Sequence, residues 1–278
     1  MDGEKKQFLI HEAAEIRKGA LTAVYSANSG HPGGSLSIAD ILAYLFFEKL
    51  NIDKDNPDNP DRDRFVLSKG HTAPALYAAL AEKGYFPKED LKTFRHSGSY
   101  LQGHPDMKGV PGVDMTTGSL GLGVSAAGGM AKSAKIFSKS YRVYAILGDG
   151  ELDEGQVWEA AMFAAHYKLD NLCLFIDWNG LQIDGDITKV MNPTPIDKKY
   201  EAFGFNVINI DGHNFDEIES AVRQAEACKG KPTAIICKTV KGKGVSFMEN
   251  KYEWHGVAPN KEQYEQAMAE LDKAEKLA

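Results

Sequence analysis

Two oxygen-bearing side chains, Asp149 and Asn179, each follow a run of apolar residues closely. The runs at residues 141–147 (YRVYAIL) and 172–176 (LCLFI) have the β-branched, aromatic and aliphatic composition of buried parallel strands. A right-handed β-α-β crossover sets successive strands side by side, so both side chains are predicted to lie together at the carboxyl edge of a sheet. Carboxylate and amide oxygens are ligands that suit Mg²⁺ or Ca²⁺.

The turn around Asp149 suits an anion as well as a metal. Gly148 and Gly150 lack side chains, so a phosphate group can approach the backbone closely. The helix predicted to follow points its free N–H groups and positive dipole end at the same edge. The carbonyl of Leu181 is a third candidate metal ligand. An ordinary turn with a helix-capping aspartate is the alternative, and Asn179 at the next strand end favours the metal and diphosphate site.

The helix between the two strands has a helical apolar spacing. Its stripe, which is predicted to face the core, consists of Trp158, Ala161, Met162 and Ala165. Acidic residues at positions 151, 153 and 154 are typical of a helix start. This helix is predicted to complete the crossover that brings the two strand ends together.

Further apolar patterns surround this crossover. They predict strands at residues 65–67, 206–210 and 233–237, and helices at residues 5–27, 72–83, 214–228 and 260–278, with another helix beginning at Leu122. The first helix carries the stripe Leu9, Ala13, Ile16, Ala20 and Val24. The alternation of strands and helices predicts an α/β fold: a doubly wound, mainly parallel sheet with helices on both faces.

Four histidines lie in loops or at a strand-to-helix junction: His31, His71, His104 and His255. The loop at residues 95–123 is long and glycine-rich, and its embedded histidine and apolar residues indicate an ordered, functional segment. Imidazole transfers protons near neutral pH. Any single histidine could instead be an ordinary loop residue. His213, outside the strongest motifs, is expected to be structural or to support site residues.

Composition narrows the possible partners and surroundings. The 278 residues are 43% hydrophobic, and the net charge is −7 without any long Lys/Arg block, which argues against nucleic acid and anionic membranes. No signal peptide or run of 18 apolar residues is evident, and the three cysteines lack metal-site spacing. We expect a cytoplasmic protein.

Several motifs together resemble the amino-terminal part of transketolase. They are SGHPGG at 29–34, DRFVLSKGH at 63–71, GHPD at 103–106, TTGSLGLG at 116–123, GDG at 148–150 followed by Glu154 and Glu159, and WHG at 254–256. The resemblance spans nearly the whole chain. It implies the thiamine diphosphate-binding fold, with thiamine diphosphate and a divalent metal as cofactors. The implied reaction is reversible two-carbon ketol transfer between sugar phosphates.

The resemblance also assigns residues. It implies that Asp149, Asn179 and the backbone carbonyl of Leu181 bind Mg²⁺, or Ca²⁺ or Mn²⁺ in its place. The residues implied to contact the cofactor are His71, Gly118, Ser119, Leu120, Gly148, Gly150 and Glu151, together with the metal ligands. The loop at 119–121 would run beside the thiamine rings. His31, His71, His104 and His255 match histidines that line the reactive carbon and the sugar hydroxyls.

Some implied features remain open at the level of sequence. Glu154 and Glu159 match carboxylates that link two active sites across a subunit interface, although Glu159 could be a solvated charge. The Ala/Gly-rich helix from Leu122 suits either a tight internal contact or a subunit interface. Trp178 stands where the family usually has a second asparagine. The segment 241–244 (KGKG) replaces a more apolar loop and is either a phosphate contact or a solvated turn.

Transketolases continue beyond the region matched here. Residues 1–278 correspond to the diphosphate-binding (PP) domain, and the pyrimidine-binding and carboxyl-terminal domains have no counterpart in this sequence. In the family, the second domain holds the glutamate that activates the aminopyrimidine ring and most arginines that bind substrate phosphate. Rather than a truncated chain, we expect a split enzyme that is inactive alone. Its partner would be a C-terminal transketolase subunit, in a self-associating α2β2 assembly.

Three rival functions remain. Another thiamine enzyme, such as a 2-oxo acid dehydrogenase α subunit or a deoxyxylulose phosphate synthase, is disfavoured by the SGHPGG and GHPD loops. A transketolase relative acting on a sulfo-sugar or a branched sugar phosphate stays open, because acceptor specificity lies largely in the other half. A non-catalytic thiamine diphosphate-binding subunit is disfavoured by the retained site residues.

Overall fold

A five-stranded parallel sheet forms the centre of the computed structural model, which describes residues 1–277. The strands in chain order are β1 (Arg64–Leu67), β2 (Val143–Gly148), β3 (Leu172–Trp178), β4 (Leu181–Gln182), β5 (Gly185–Asp186), β6 (Asn206–Asp211) and β7 (Thr233–Lys238). The central sheet has the order β1-β2-β3-β7-β6, and β4 and β5 form a small antiparallel ribbon directly after β3. All four pairings of the central sheet are parallel.

Helices cover both faces of this sheet. They are α1 (Gly3–Ala27), α2 (Pro32–Ser37), α3 (Ala39–Tyr44), α4 (Ala73–Glu82), α5 (Leu122–Ile136), α6 (Gly155–His166), α7 (Ile187–Val190), α8 (Ile196–Ala202), α9 (Phe215–Ala227) and α10 (Lys261–Leu277). On β2, Tyr144 and Ile146 pack with α1, α3, α4 and α9, whereas Val143 and Ala145 pack with α5, α6 and α8. The predicted doubly wound α/β fold is therefore confirmed. Ala278, the end of the predicted C-terminal helix, lies outside the described residues.

The first helix behaves as its sequence predicts. The whole predicted stripe of α1 is buried. The Asp2 side chain accepts the Lys5 N–H at the start, and Asn28 ends the helix in a left-handed conformation with φ 46°. The long loop before α5 also packs against the core, through Leu101 and Val113.

The prediction for the core-facing side of α6 was wrong at Met162. This side chain is 60% exposed, and the buried residues of α6 are Val157, Ala160, Ala161 and Ala164. Trp158 lies at the side of the helix, where its indole packs against Tyr200 of α8 and Phe203. The sequence carries two adjacent apolar stripes, and periodicity alone does not decide between them. The side with Ala160, Ala161 and Ala164 is buried because these small side chains let α6 pack closely against α5.

No helix in the part of the chain that the structure describes is both long enough and apolar enough to cross a membrane.

Candidate active site at the carboxyl ends of the strands

The carboxyl ends of β1, β2, β3 and β7 border a cleft of about 320 Å³. Its walls include His31, Gly34, Lys69, His71, Gly118, Leu120, Gly148, Asp149, Gly150, Glu151, Asn179, Leu181, Lys241 and His255. The structure thus brings together most of the residues predicted from sequence. Of the predicted residues, His104 and Ser119 are not part of this wall.

Asp149 lies buried at the end of β2, as predicted. Its Oδ1 accepts the Gly150 N–H at 2.8 Å, and its Oδ2 accepts the Gly180 N–H at 2.6 Å. Burial and the nearby charge of Asp177 raise the pKa of the Asp149 carboxyl to about 7. Two N–H donors do not compensate for this loss of water, so a bound cation would favour the ionised form.

Asn179 and Leu181 follow the end of β3 and line the same cleft. The Asn179 Oδ1 accepts the Leu181 N–H at 3.1 Å, and its Nδ2 donates to Asp177 at 3.0 Å. The Gly180 N–H on Asp149 joins this turn to the end of β2. The predicted meeting of the two strand ends is therefore present in the structure.

Asp177 and Lys69 form a buried ion pair that the sequence reasoning missed. The Lys69 Nζ donates to Asp177 at 2.5 Å, and Ser37 and Thr239 also donate to this carboxylate. Burial acts to raise the pKa of Asp177, but the Lys69 charge and these hydrogen bonds hold it below its usual range. The available signal was an aspartate within an apolar strand sequence, since a buried charge requires a partner.

Lys241 also lies in the cleft wall and is 2% exposed. Its Nζ donates to the Leu181 carbonyl at 3.2 Å and lies 3.0 Å from His255 Nδ1. Burial and the charge of Lys69 lower the pKa of Lys241 to about 8. Of the two sequence interpretations of this segment, the solvated turn is wrong for Lys241, whereas Lys243 remains partly exposed.

Three of the predicted histidines touch one another in the cleft. The ring centroids lie 5.1 Å apart for His31 and His71, 5.3 Å for His31 and His255, and 5.2 Å for His71 and His255. Burial lowers the pKa of His31 to about 4, that of His255 to about 3, and that of His71 well below 6.5. The three rings are therefore neutral at pH 7.

His104 stands beside the glycine-rich loop rather than in the cleft wall. Its ring is so close to Gly118 that a Cβ on this glycine would lie 3.0 Å from it. The backbone carbonyl of His104 accepts the Tyr77 hydroxyl at 2.9 Å. Burial and the neighbouring Arg95 charge lower the pKa of His104 as well.

Glu151 joins three segments around the cleft: the turn after β1, the glycine-rich loop before α5 and the end of β2. Its carboxylate accepts the Ser68 hydroxyl, the Gly121 N–H at 2.9 Å and the Gly148 N–H at 3.1 Å. Gly121 has φ 81°, a conformation that favours glycine. These bonds hold the loop at 118–121 against the end of β2, so Glu151 shapes the site predicted for the cofactor.

The residues present fit a divalent cation and a diphosphate. Asp149, Asn179 and the Leu181 carbonyl offer the hard oxygen donors that Mg²⁺ prefers. The Leu181 carbonyl already accepts a positive group, the Lys241 ammonium. At Gly34, a Cβ would lie 3.0 Å from the Thr72 methyl and 3.4 Å from the Lys69 Nζ, so the backbone approaches these side chains closely at this part of the wall.

Glu154, Glu159 and Trp178, whose roles the sequence did not decide, lie outside the cleft. Glu154 and Glu159 are exposed at the start and outer face of α6. The Trp178 ring packs under the Lys238 ammonium, 4.8 Å from its centroid, and borders a small separate cavity.

The fold is an α/β domain, and its cleft has groups suited to a divalent metal ion and a diphosphate group. Residues 10–274 match the family model described as "Transketolase, thiamine diphosphate binding domain". The chain therefore belongs to the family of transketolase thiamine diphosphate-binding domains.

Relatives of two lengths share this region. The chain is 52% identical to the 6-deoxy-6-sulfo-D-fructose transketolase subunit SqwG of Clostridium sp. (strain MSTE9), covering 97% of the chain and 98% of that subunit. It is 42% identical to an apulose-4-phosphate transketolase subunit of Phocaeicola vulgatus, covering 96% and 95%. It is also 46% identical to human transketolase, where it covers 97% of the chain but 43% of the relative.

A solved transketolase structure also matches this chain over less than half of its own length. The chain superposes on transketolase from Leishmania mexicana with a TM-score of 0.90 and 35% identity, over 95% of this chain and 41% of that one. It therefore spans less than half of these transketolases and nearly all of the two subunits.

Proposed function

We propose that this chain is the thiamine diphosphate-binding subunit of a two-part transketolase, which transfers a two-carbon ketol unit between ketose and aldose phosphates. The observation that carries the proposal is the cleft, where three contacting imidazoles share one wall with the oxygen donors of Asp149, Asn179 and Leu181. The coverage of the two subunit relatives supports the division into two chains.

In this proposal, three groups of the chain hold Mg²⁺, or Ca²⁺ or Mn²⁺: the Asp149 carboxylate, the Asn179 amide oxygen and the Leu181 carbonyl. The diphosphate contacts are Gly148, Gly150 and His71, while Gly118, Ser119 and Leu120 lie beside the thiamine rings and Glu151 fixes their loop. When bound, thiamine diphosphate supplies the nucleophilic carbon and the electron sink for carbon–carbon cleavage.

The histidines are proposed to accept protons from the sugar hydroxyls and to donate them back. His31, His71 and His255 are neutral in the free cleft, because burial penalises their charged forms. A neutral imidazole accepts a hydroxyl proton and later returns it. An anionic substrate in the cleft raises the pKa of these rings, since it stabilises the imidazolium form. His104 is proposed to act with them from beside Gly118.

Residues 1–278 are proposed to form one diphosphate-binding unit, with the remaining parts of the site on a C-terminal subunit. That partner would hold the aminopyrimidine ring, supply the glutamate that activates it, and provide most substrate-phosphate contacts. Exposed apolar side chains such as Ile183 and Met191, 60% and 61% exposed, follow the Asn179 turn and suit a covered surface. Two copies of each chain would form an α2β2 assembly.

A reconstitution experiment tests this function. The chain is purified alone and together with a C-terminal transketolase subunit, and ketol transfer is assayed with thiamine diphosphate and Mg²⁺. Activity in the complex and none in the single chain is expected, with the Asp149→Ala complex as an inactive control. Turnover by the single chain contradicts the split, and cofactor binding without turnover in the complex indicates a non-catalytic subunit.

A second candidate concerns the sugar. The 52% identity to a subunit named for 6-deoxy-6-sulfo-D-fructose favours a sulfo-sugar as an alternative donor, and the apulose-4-phosphate relative favours a branched sugar phosphate less strongly. The reconstituted complex is assayed against ketose phosphates and both of these sugars. The ratio of kcat/KM values decides among them.

A further inference from the structure

His213 contacts two parts of the structure. One is the loop that follows β7 and carries Lys241, and the other is the buried ion pair of Arg17 on α1 with Asp40 on α3. Its Nδ1 lies 2.6 Å from Asp40 Oδ2, and its Nε2 accepts the Val240 N–H at 2.9 Å. A backbone N–H only donates, so Nε2 is the acceptor nitrogen and Nδ1 carries the proton that goes to Asp40. Both ring nitrogens of this mostly buried side chain are therefore engaged.

Asp40, which accepts the His213 Nδ1 proton, is held in place by further hydrogen bonds. Arg17 donates to both oxygens of Asp40, with an Nη1 to Oδ1 distance of 3.2 Å. The Arg17 Nε donates to the Leu36 carbonyl at 3.2 Å. The imidazole is thus oriented by groups from α1 and from the segment of α2 and α3, which do not belong to the loop.

The loop leads directly from β7 into the cleft. The Thr239 N–H donates to the Trp178 carbonyl at 3.2 Å, and the Gly242 N–H donates to the Gly33 carbonyl at 2.9 Å. Between these two backbone bonds, the Val240 N–H donates to the His213 side chain. The next residue is Lys241, so a shift of Val240 moves the lysine backbone directly.

We propose that His213 is a positioning residue for the cofactor cleft. By accepting the Val240 N–H, it fixes the backbone from which Lys241 reaches the Leu181 carbonyl and His255. The ring does not enter the cleft and acts only through the loop. This role rests on the proposed function in one respect, namely that the cleft binds the metal and the diphosphate.

The first experiment does not depend on that function. Hydrogen exchange of the Val240 and Gly242 amides is measured in the cofactor-free chain for His213→Leu and for His213→Gln, whose amide keeps one donor and one acceptor. Exchange about 10-fold faster in the leucine variant, with near wild-type rates in the glutamine variant, is expected. Unchanged protection in a folded leucine variant overturns the positioning role. If that variant does not fold, His213→Asn replaces it, because its shorter side chain keeps a donor for Asp40 without reaching Val240.

The second experiment is a double-mutant cycle in the complex with the C-terminal subunit. The Mg²⁺-dependent affinity for thiamine diphosphate is measured for His213→Leu, Lys241→Met and the double variant. His213→Leu is expected to weaken binding about 10-fold alone, and to add nothing to Lys241→Met, because both act through one side chain. Additive losses overturn the proposal. A wild-type complex that binds no cofactor refutes the proposed function instead, and leaves the exchange result standing.

Discussion

Asp149 and Asp177 are both buried at the carboxyl ends of neighbouring strands, yet their environments shift their pKa values in opposite directions. Asp177 accepts hydrogen bonds from Lys69, Ser37 and other side chains, and its pKa lies below the usual range. Within residues 1–277, the Asp149 side chain accepts two backbone N–H groups and no side-chain donor, and its pKa is about 7. The number and charge of the partners decide the direction, since both carboxyls are desolvated. Asp177 is therefore satisfied within the protein, whereas Asp149 gains most from a bound cation.

Matched substitutions to asparagine should separate these two roles. Asp149→Asn is expected to change the free energy of unfolding by less than about 1 kcal/mol, because the loss of one of the two backbone N–H bonds is offset by removing the cost of a buried carboxylate. It should weaken Mg²⁺-dependent cofactor binding in the complex at least about 10-fold. Asp177→Asn should cost about 3 kcal/mol or more of stability, because it leaves the Lys69 ammonium buried and unpaired. Urea denaturation and calorimetry measure the two quantities, and a reversed pattern contradicts these assignments.

At the residue scale, the sequence predicted the groups that stand at strand ends and missed those that enter from elsewhere. Asp149 and Asn179 were predictable because the crossover rule fixes which strand ends meet. Lys69 was not recognised as a cleft residue, and Lys241 was left between a phosphate contact and a solvated turn, because a lysine is usually solvated and its burial depends on a distant partner. The partner of Lys69, Asp177, lies 108 positions away in the chain.

Among the elements, the buried strands β3 and β7 each carry a cysteine. Burial raises the pKa of Cys173 to about 12, and it also raises that of Cys237 well above the ordinary 9.0. Cys228 follows α9 and is partly exposed. Because the thiolate is the reactive form, iodoacetamide at pH 8 should label Cys228 in the native chain and the two strand cysteines only after unfolding. Peptide mass spectrometry measures this, and labelling of all three at similar rates would show that the strands open readily.

The contact between α1 and α3 should make stability depend on acid pH. Burial acts to raise the pKa of Asp40, but the Arg17 charge and the His213 hydrogen bond hold it at about 2, below the 3.8 of the unfolded chain. The folded state therefore gains about 2 kcal/mol above pH 4, and this gain is lost as the pH falls from about 4 towards 2. The difference in unfolding free energy between wild type and Asp40→Asn, measured in urea from pH 6 to 3, should shrink at the acid end. A constant difference contradicts the ion pair.

At the element scale, strands were easier to predict than the sides of helices. Each strand of the central sheet coincides with a predicted strand segment. The strands β2, β3 and β7 are mostly apolar because both of their faces are covered, whereas the edge strand β6 carries two asparagines and is only partly buried. The orientation of α6 was not predictable from Met162 and its neighbours, since it depends on how closely the alanine side of α6 packs against α5.

At the scale of the whole molecule, the order of the strands in the sheet could not be predicted from local sequence patterns. β7 inserts between β3 and β6, so the chain passes to the sheet edge before it returns. The connections through α6 and α8 advance along the sheet and cover one face, whereas the return through α9 covers the other. This division agrees with the right-handed preference of parallel crossovers. The helices α5 and α6 pack together on one face of the sheet, and the two-copy assembly proposed above would need an outer face of this kind.

One of the two alternatives for the glycine-rich helix α5, a tight internal contact, is present in the structure. Gly123 packs tightly inside the fold, since a Cβ there would lie 2.7 Å from Ser68, whereas Gly129 has open space around it. Phe163 of α6 lines the same shallow cavity as Gly129 and is 37% exposed.

If two copies of the chain meet through this face, Phe163→Glu should raise the dissociation constant for self-association at least about 10-fold, because it places a charge in an apolar contact. The matched control is Phe8→Glu on α1, which covers the opposite side of the sheet and is 47% exposed. Sedimentation equilibrium of the complex with the C-terminal subunit measures both variants. Equal effects of the two substitutions, or none from Phe163→Glu, would place the interface elsewhere. The exposed Glu154 and Glu159 would then lack the neighbouring subunit that their proposed role requires.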